Sequence, residues 1–330
     1  MPEIIRQLFI LPFLLLTFIT NIVEQPNRVF QGSGAAIAAR AGRWQTSAPL
    51  PSTRYDFGSG VFEGKIYIIG GVVHPSPWFP TNLVEIYDPE TNSWSKLKDY
   101  PRLVHHEGVV GCGKSLYVIG GYWLRVFPSA YVYAYDAKAG DWKRKADLPN
   151  ARGALGAVCI DNKIYAIGGS VNTHAVGFVD VYDVDSNTWT PKSPMPSARE
   201  HAAVVTAGGR IFVLGGHDGD RFKTEATNEI YDPKTDTWKT GTLMPVALNG
   251  LSAEVLGSSI YIFGGANGDG VSREVHEYRI AQDRWVRRAD LPVGRYGFTA
   301  LPLGNSIHVI GGNSVVKGNY FSLYHDVFIP

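Results

Sequence analysis

Cysteine, methionine and charge are the scarce features of this 330-residue chain. Two cysteines, Cys112 and Cys159, cannot by themselves make a disulfide framework or a four-ligand zinc site. Charged residues make up 18%, below the usual ~25%, and the net charge is +1. A phosphate-binding surface normally shows as a basic excess, so nucleic acid is not an expected partner. No Asn-x-Ser/Thr sequon occurs, and no cysteine follows the N-terminal apolar run to take a lipid. What is abundant is glycine (37), tyrosine (17) and tryptophan (8), within a 45% hydrophobic composition that excludes disorder, collagen and coiled coil. Length alone gives a prior of about two domains.

The first 23 residues stand apart. From Leu8 to Val23 the chain runs without charge, preceded by Arg6 and followed by polar EQPNR. That length fits a signal peptide or an uncleaved signal anchor, so residues 4–23 are expected to export the chain and possible membrane anchoring falls on them. Residues 24–42 are expected to be a small-residue linker, and 43–330 a folded body that is secreted or held at the membrane.

Within the body, six glycine pairs close short β-type runs: Gly70-Gly71, Gly120-Gly121, Gly168-Gly169, Gly215-Gly216, Gly264-Gly265 and Gly311-Gly312. A tryptophan precedes each by 26 residues: Trp44, Trp94, Trp142, Trp189, Trp238 and Trp285. Tyrosines 87, 135, 182, 231 and 278 each stand seven residues before the next repeat tryptophan. Each unit offers four short strands, with turns such as DPETNS and DPKTDT between the last two. A four-stranded unit cannot bury both faces alone, whereas radial stacking of such sheets does.

On these Gly-Gly, Tyr and Trp landmarks the chain resembles the kelch-repeat β-propellers, whose repeat is about 50 residues. The resemblance implies an all-β, six-bladed propeller. Tyr324 reads as the sixth tyrosine, and its tryptophan would fall just past Pro330. The strand around Trp44 is therefore expected to complete the last blade by pairing with the C-terminal strands.

All variation in repeat length lies between Gly-Gly and tyrosine, the usual layout of a rigid scaffold with one variable binding face. Sixteen residues before each glycine pair stand Arg54, Val104, Arg152, Arg199, Leu248 and Arg295. The four arginines are expected to ring one mouth of the channel and to bind an anionic group; contact with neighbouring blade carbonyls is the structural alternative. In kelch proteins that recognise acidic peptides, arginines in this register contact the ligand, and the resemblance extends that role to these four. Trp78, Phe79, Trp123 and Phe127, in the longest variable loops, are expected to anchor a peptide or stack on sugar rings.

A metal would need three of His74, His105, His106, Glu107, Glu200, His201 and His217 to converge, and the sequence does not bring them together; no metal or cofactor is expected. Neighbours on a strand point to opposite faces, so only one of each adjacent pair should enter the channel. Cysteine-tyrosine copper chemistry is disfavoured by the positions of the cysteines, and DGD (218–220) and NGDG (267–270) read as turns rather than calcium loops. The expected function is non-catalytic binding of an acidic peptide, protein or saccharide by a monomer. The alternative, from a weaker resemblance to exported sialic acid mutarotases, uses Glu200 or His201 as general acid/base, with Arg199 and Arg295 for the sugar carboxylate.

Overall fold

The computed structural model describes residues 42–73, 79–124, 127–220, 223–315 and 321–330. Residues 1–41, and with them the N-terminal apolar run and most of the linker, lie outside the described residues, as do His74 and Trp78. Among the described residues no helix is long and apolar enough to cross a membrane.

Six four-stranded antiparallel sheets follow one another along the chain. Blade one uses Gly58–Phe62, Lys65–Ile69, Val84–Asp88 and Ser93–Lys96, from the axis outward. Blades two to five repeat the order, with innermost strands Gly108–Cys112, Gly156–Ile160, Ala203–Ala207 and Ser252–Leu256. Blade six takes Thr299–Leu303, Ser306–Ile310 and His325–Ile329, then Arg43–Thr46 as its outermost strand. The expected closure is thus present, with Trp44 opposite Phe328.

That register corrects one landmark. Phe328, not Tyr324, sits where the other blades place their tyrosine, and Tyr324 is half exposed. Measured to Phe328, the last loop matches the longest in the chain rather than being the shortest.

The invariant spacings are explained by what the aromatics reach. Every repeat tryptophan donates its indole N–H to a backbone carbonyl of the preceding connection: Ala289, Ala48, Lys98, Ala146, Ser193 and Thr242 in blade order from Trp44. Each packs on the tyrosine or phenylalanine opposite, with ring centroids 4.8–5.3 Å apart. In four blades the tyrosine hydroxyl donates to Asn92, Asn187, Asp236 or Asp283, whose side chains also accept a backbone N–H from the previous connection. The seven-residue spacing therefore joins neighbouring blades as well as forming a hairpin.

The glycine pairs do the same at smaller radius. Gly70 and Gly71 have φ of 58° and 88°, and a Cβ on Gly70 would lie 2.5 Å from the Val104 carbonyl, which instead accepts the Gly71 N–H. Between the sheets lie six clusters of buried hydrophobic side chains.

Cys112 and Cys159, on the innermost strands of blades two and three, form a disulfide between adjacent blades. One bridge is no framework, but it ties two sheets together near the axis.

Candidate functional site at the channel mouth

The second-strand ends, the variable loops and the connections between blades all lie at one end of the propeller, as bridges such as Thr81 to Val104 and Glu200 to His217 show. Two residues past each repeat arginine, valine or leucine, the chain turns through the left-handed region. Asp56, His106, Ala154, His201, Gly250 and Gly297 have φ between 52° and 60°. Each N–H in this series donates to the carbonyl of the previous blade's member: His106 to Asp56, Ala154 to His106, His201 to Ala154, Gly250 to His201, Gly297 to Gly250, and Asp56 to Gly297. Six backbone hydrogen bonds of 2.8–3.2 Å thus form a closed ring at the mouth. Beneath it a channel cavity of about 410 Å³ runs between the innermost strands.

The four arginines do not face this mouth as ligand-binding groups. Arg54, Arg152, Arg199 and Arg295 are at most 1% exposed. Each is paired with a carboxylate on the third strand of its own blade: Arg54 with Glu85, Arg152 with Asp180 at 2.8 Å, Arg199 with Glu229 at 2.6 Å, and Arg295 with Asp326. Further N–H groups donate to backbone carbonyls, including Gly70 and Leu83 for Arg54, Gly168 and Ala166 for Arg152, and Gly215 for Arg199, while Nε of Arg54 and of Arg295 is buried without a hydrogen-bond partner among the described residues. The expectation of a guanidinium ring open to a ligand is therefore corrected: a buried guanidinium needs a counter-charge, and the blade supplies it. The sequence carries a matching signal. Each partner acid stands two residues before the blade tyrosine or Phe328, and where Val104 and Leu248 replace arginine that place holds Tyr133 and His276.

The aromatic residues behave differently. Phe79, Trp123 and Phe127 are 60%, 46% and 54% exposed. Trp123 and Phe127 face each other across a short hairpin with ring centroids 5.4 Å apart. The remaining large exposed hydrophobics among the described residues are Leu103, Phe178, Leu243, Leu323 and Tyr324, and every one lies in a loop or connection at this same end.

A polar cluster sits on the ring itself. The expectation that adjacent pairs point apart fails here, because the left-handed turn at His106 and His201 breaks strand alternation. His106 Nε2 lies 3.2 Å from Asp56 Oδ2, its Nδ1 lies 2.5 Å from Nδ1 of His105, and its ring stands edge-on to His201 at 4.8 Å. His201 lies 3.5 Å from Glu200 and stacks on His217, which is 3.8 Å from the other Glu200 oxygen. Ser170 donates to Glu200 at 2.5 Å, and Tyr122 bonds Ser170 behind it.

These contacts spread the titrations apart. Burial pushes Asp56 up to about 7 against the opposing pull of His201. Burial also drives His106 well below the usual imidazole range, helped by His105 and His201, and takes His217 down to about 4. His201 goes the other way: burial lowers it, but Glu200, with Asp56 beyond, outweighs that and holds it above its ordinary value. Burial would raise Glu200, yet His201 and Ser170 bring it below the normal range. Glu107 lies between blades one and two, where burial lifts it to about 8 even though one oxygen accepts the Gly58 N–H at 3.0 Å.

Comparison with known proteins agrees with the repeat geometry. Residues 154–329, more than half of the chain, match the KLHDC2/KLHL20/DRC7 Kelch-repeats domain, and residues 53–99 match the Kelch motif. The chain belongs to the kelch-repeat family. Kelch-like protein 40 of Xenopus tropicalis is 37% identical over 79 residues, and Kelch-like protein 28 of Homo sapiens 38% identical over 84. Each match covers 24% of this chain, but only 12% and 15% of those relatives' own length, a short stretch of kelch repeat. The solved structure of YjhT superimposes with a TM-score of 0.71 at 17% identity, over 86% of this chain and 96% of that one, which shows a shared kelch-propeller fold.

Proposed function

We propose that the protein is a kelch binding module whose mouth-side face takes a protein or peptide partner. The observation that carries this reading is the one-sidedness of apolar exposure: all eight large exposed hydrophobics among the described residues lie at the end that holds the variable loops. Apolar side chains gathered on one face mark an interaction surface, and aromatic anchors supply most of the energy at such surfaces. Phe79, Leu103, Trp123 and Phe127 sit in the loops of blades one and two and the connection joining them. That sector is the proposed centre of the contact.

An acidic preference in the partner no longer has four arginines to rest on, and any such preference falls to His201, which Glu200 holds above its ordinary pKa. The aromatic loops also suit stacking on sugar rings. Sugar-acid mutarotation retains a possible acid/base pair in Glu200 and His201, but Arg199 and Arg295 are engaged in ion pairs and cannot hold a sugar carboxylate as they stand. Export fits the disulfide, since such bridges persist in oxidising compartments.

Selection of a random-peptide display library on the purified full chain tests the binding reading. Enriched peptides should lose about 30-fold affinity or more with the double variant Trp123→Ala/Phe127→Ala. No enrichment, or enrichment indifferent to that variant, refutes the reading. Acceleration of sialic acid anomer exchange, followed by NMR saturation transfer, would favour the enzyme instead.

A further inference from the structure

We propose that Glu200, His201 and His217 form a three-ligand, zinc-type binding site at the channel mouth, with the fourth coordination position left to water or an incoming group. One donor atom from each residue lies within 4.8 Å of the others. Glu200 Oε2 is 3.5 Å from His201 Nδ1, and Oε1 is 3.8 Å from His217 Nδ1. Donors of a tetrahedral zinc with bonds of about 2.0–2.1 Å stand about 3.4 Å apart, so even the 4.8 Å limit on the present separations requires contraction of no more than about 1.4 Å to complete the three-sided cage.

The backbone has already done most of the positioning. Glu200 and His201 are sequence neighbours that would ordinarily diverge, and the left-handed φ of 53° at His201 folds its ring back beside Glu200. His217 comes from the following glycine-pair loop and is fixed to Glu200 by a two-way backbone bridge, with N···O distances of 3.0 and 3.1 Å. Ser170, backed by Tyr122, orients the Glu200 carboxylate from outside the cage. His201 Nδ1 is buried and makes no hydrogen bond. His217 Nδ1 accepts the Gly219 N–H at 3.1 Å, and coordination exchanges that bond for the metal while the proton stays on Nε2.

Two imidazoles and one carboxylate form a donor set of borderline softness that suits zinc and neighbouring divalent ions, and is a poor match for calcium or magnesium. The His201 side chain is 25% exposed although its Nδ1 is buried, so water or an incoming group would reach the fourth position past the edge of that ring. A carboxylate or imidazole from a bound partner is the chemistry that would fill it.

The test uses the tag-free full chain, stripped with chelator and titrated with zinc against a chromophoric competitor, then with cobalt as a coordination probe. One equivalent of zinc should bind, and cobalt should give the intense visible absorption of a four-coordinate site. His217→Ala and His201→Asn should each weaken zinc at least about tenfold, whereas His174→Ala should leave it unchanged. Asparagine is chosen at 201 because it tolerates the left-handed turn, so this variant decides the matter even if His217→Ala misfolds. Failure to bind either ion, or equal zinc affinity in wild type and His201→Asn, overturns the proposal.

Discussion

Replacing Arg199 with methionine separates a blade-internal role from a ligand-binding one. The guanidinium is 1% exposed, with a 2.6 Å ion pair to Glu229 and a 2.6 Å hydrogen bond to the Gly215 carbonyl. Methionine fills similar volume without charge, leaving the Glu229 carboxylate, itself only 3% exposed, without its counter-ion. Breaking one partner of a buried pair costs about 3–5 kcal/mol. Glu229 does retain one hydrogen bond, from Ser197 at 3.0 Å, so the lower half of that range is expected. Urea unfolding followed by tryptophan fluorescence would read this as a lower midpoint at unchanged slope. The double variant Arg199→Met/Glu229→Leu removes both charges and should recover about half of the loss or more, because an apolar pair can replace a buried ion pair with little penalty. An Arg199→Met protein as stable as wild type, or a double variant no better than the single, would refute the reasoning.

Three further outcomes are expected. The pKa of Glu107 rises from 4.5 to about 8 on folding, so below pH 4.5 the proton is bound in both states and the group has no effect. Between pH 4.5 and 8 the unfolded chain ionises while the folded one does not, and stability falls with rising pH by up to about 5 kcal/mol; Glu107→Gln should flatten that slope in denaturant titrations at pH 5 and 8, and parallel slopes would contradict it. The Cys112–Cys159 bridge closes 47 residues, which on the chain-entropy account stabilises by about 4 kcal/mol; Cys112→Ser/Cys159→Ser should lower the thermal midpoint by several degrees, and no change would show the bridge to be dispensable. On the mouth ring, Ala154 carries a left-handed φ of 53°, so Ala154→Gly should be neutral to stabilising by about 1 kcal/mol, whereas Gly297→Val should destabilise by well over that, because a Cβ there would collide with Asp56.

Most of the fold was readable from spacing because propeller geometry fixes distances along the chain. The indole-to-carbonyl bonds of Trp44 through Trp285 repeat blade after blade, so their sequence positions repeat too. The candidate site was less legible. Arginine periodicity pointed to the end of the molecule that holds the variable loops but not to the burial, because the answering acids lie 28 to 31 residues downstream on another strand. Tyr324 was a plausible sixth landmark because a phenylalanine can fill the same pocket without the hydroxyl, as Phe328 does. The convergence of Glu200, His201 and His217 depends on one backbone inversion, and residue identity gives little warning when histidine rather than glycine adopts it.

The six-bond ring also bears on how the propeller fails under load. A propeller closed by its N-terminal strand has a seam, here where Arg43–Thr46 meets His325–Ile329. If that outer strand frays, blade six is still fastened to blade one close to the axis, through Asp56 N–H to Gly297 carbonyl, Gly312 N–H to Arg54 carbonyl, and the 2.5 Å Ser59–Thr299 hydroxyl contact. The seam is latched at two radii, and the inner latch is one link of a circuit shared by all six blades. Pulling on the Arg43–Thr46 strand should therefore peel that edge strand without opening the mouth, leaving the rim intact.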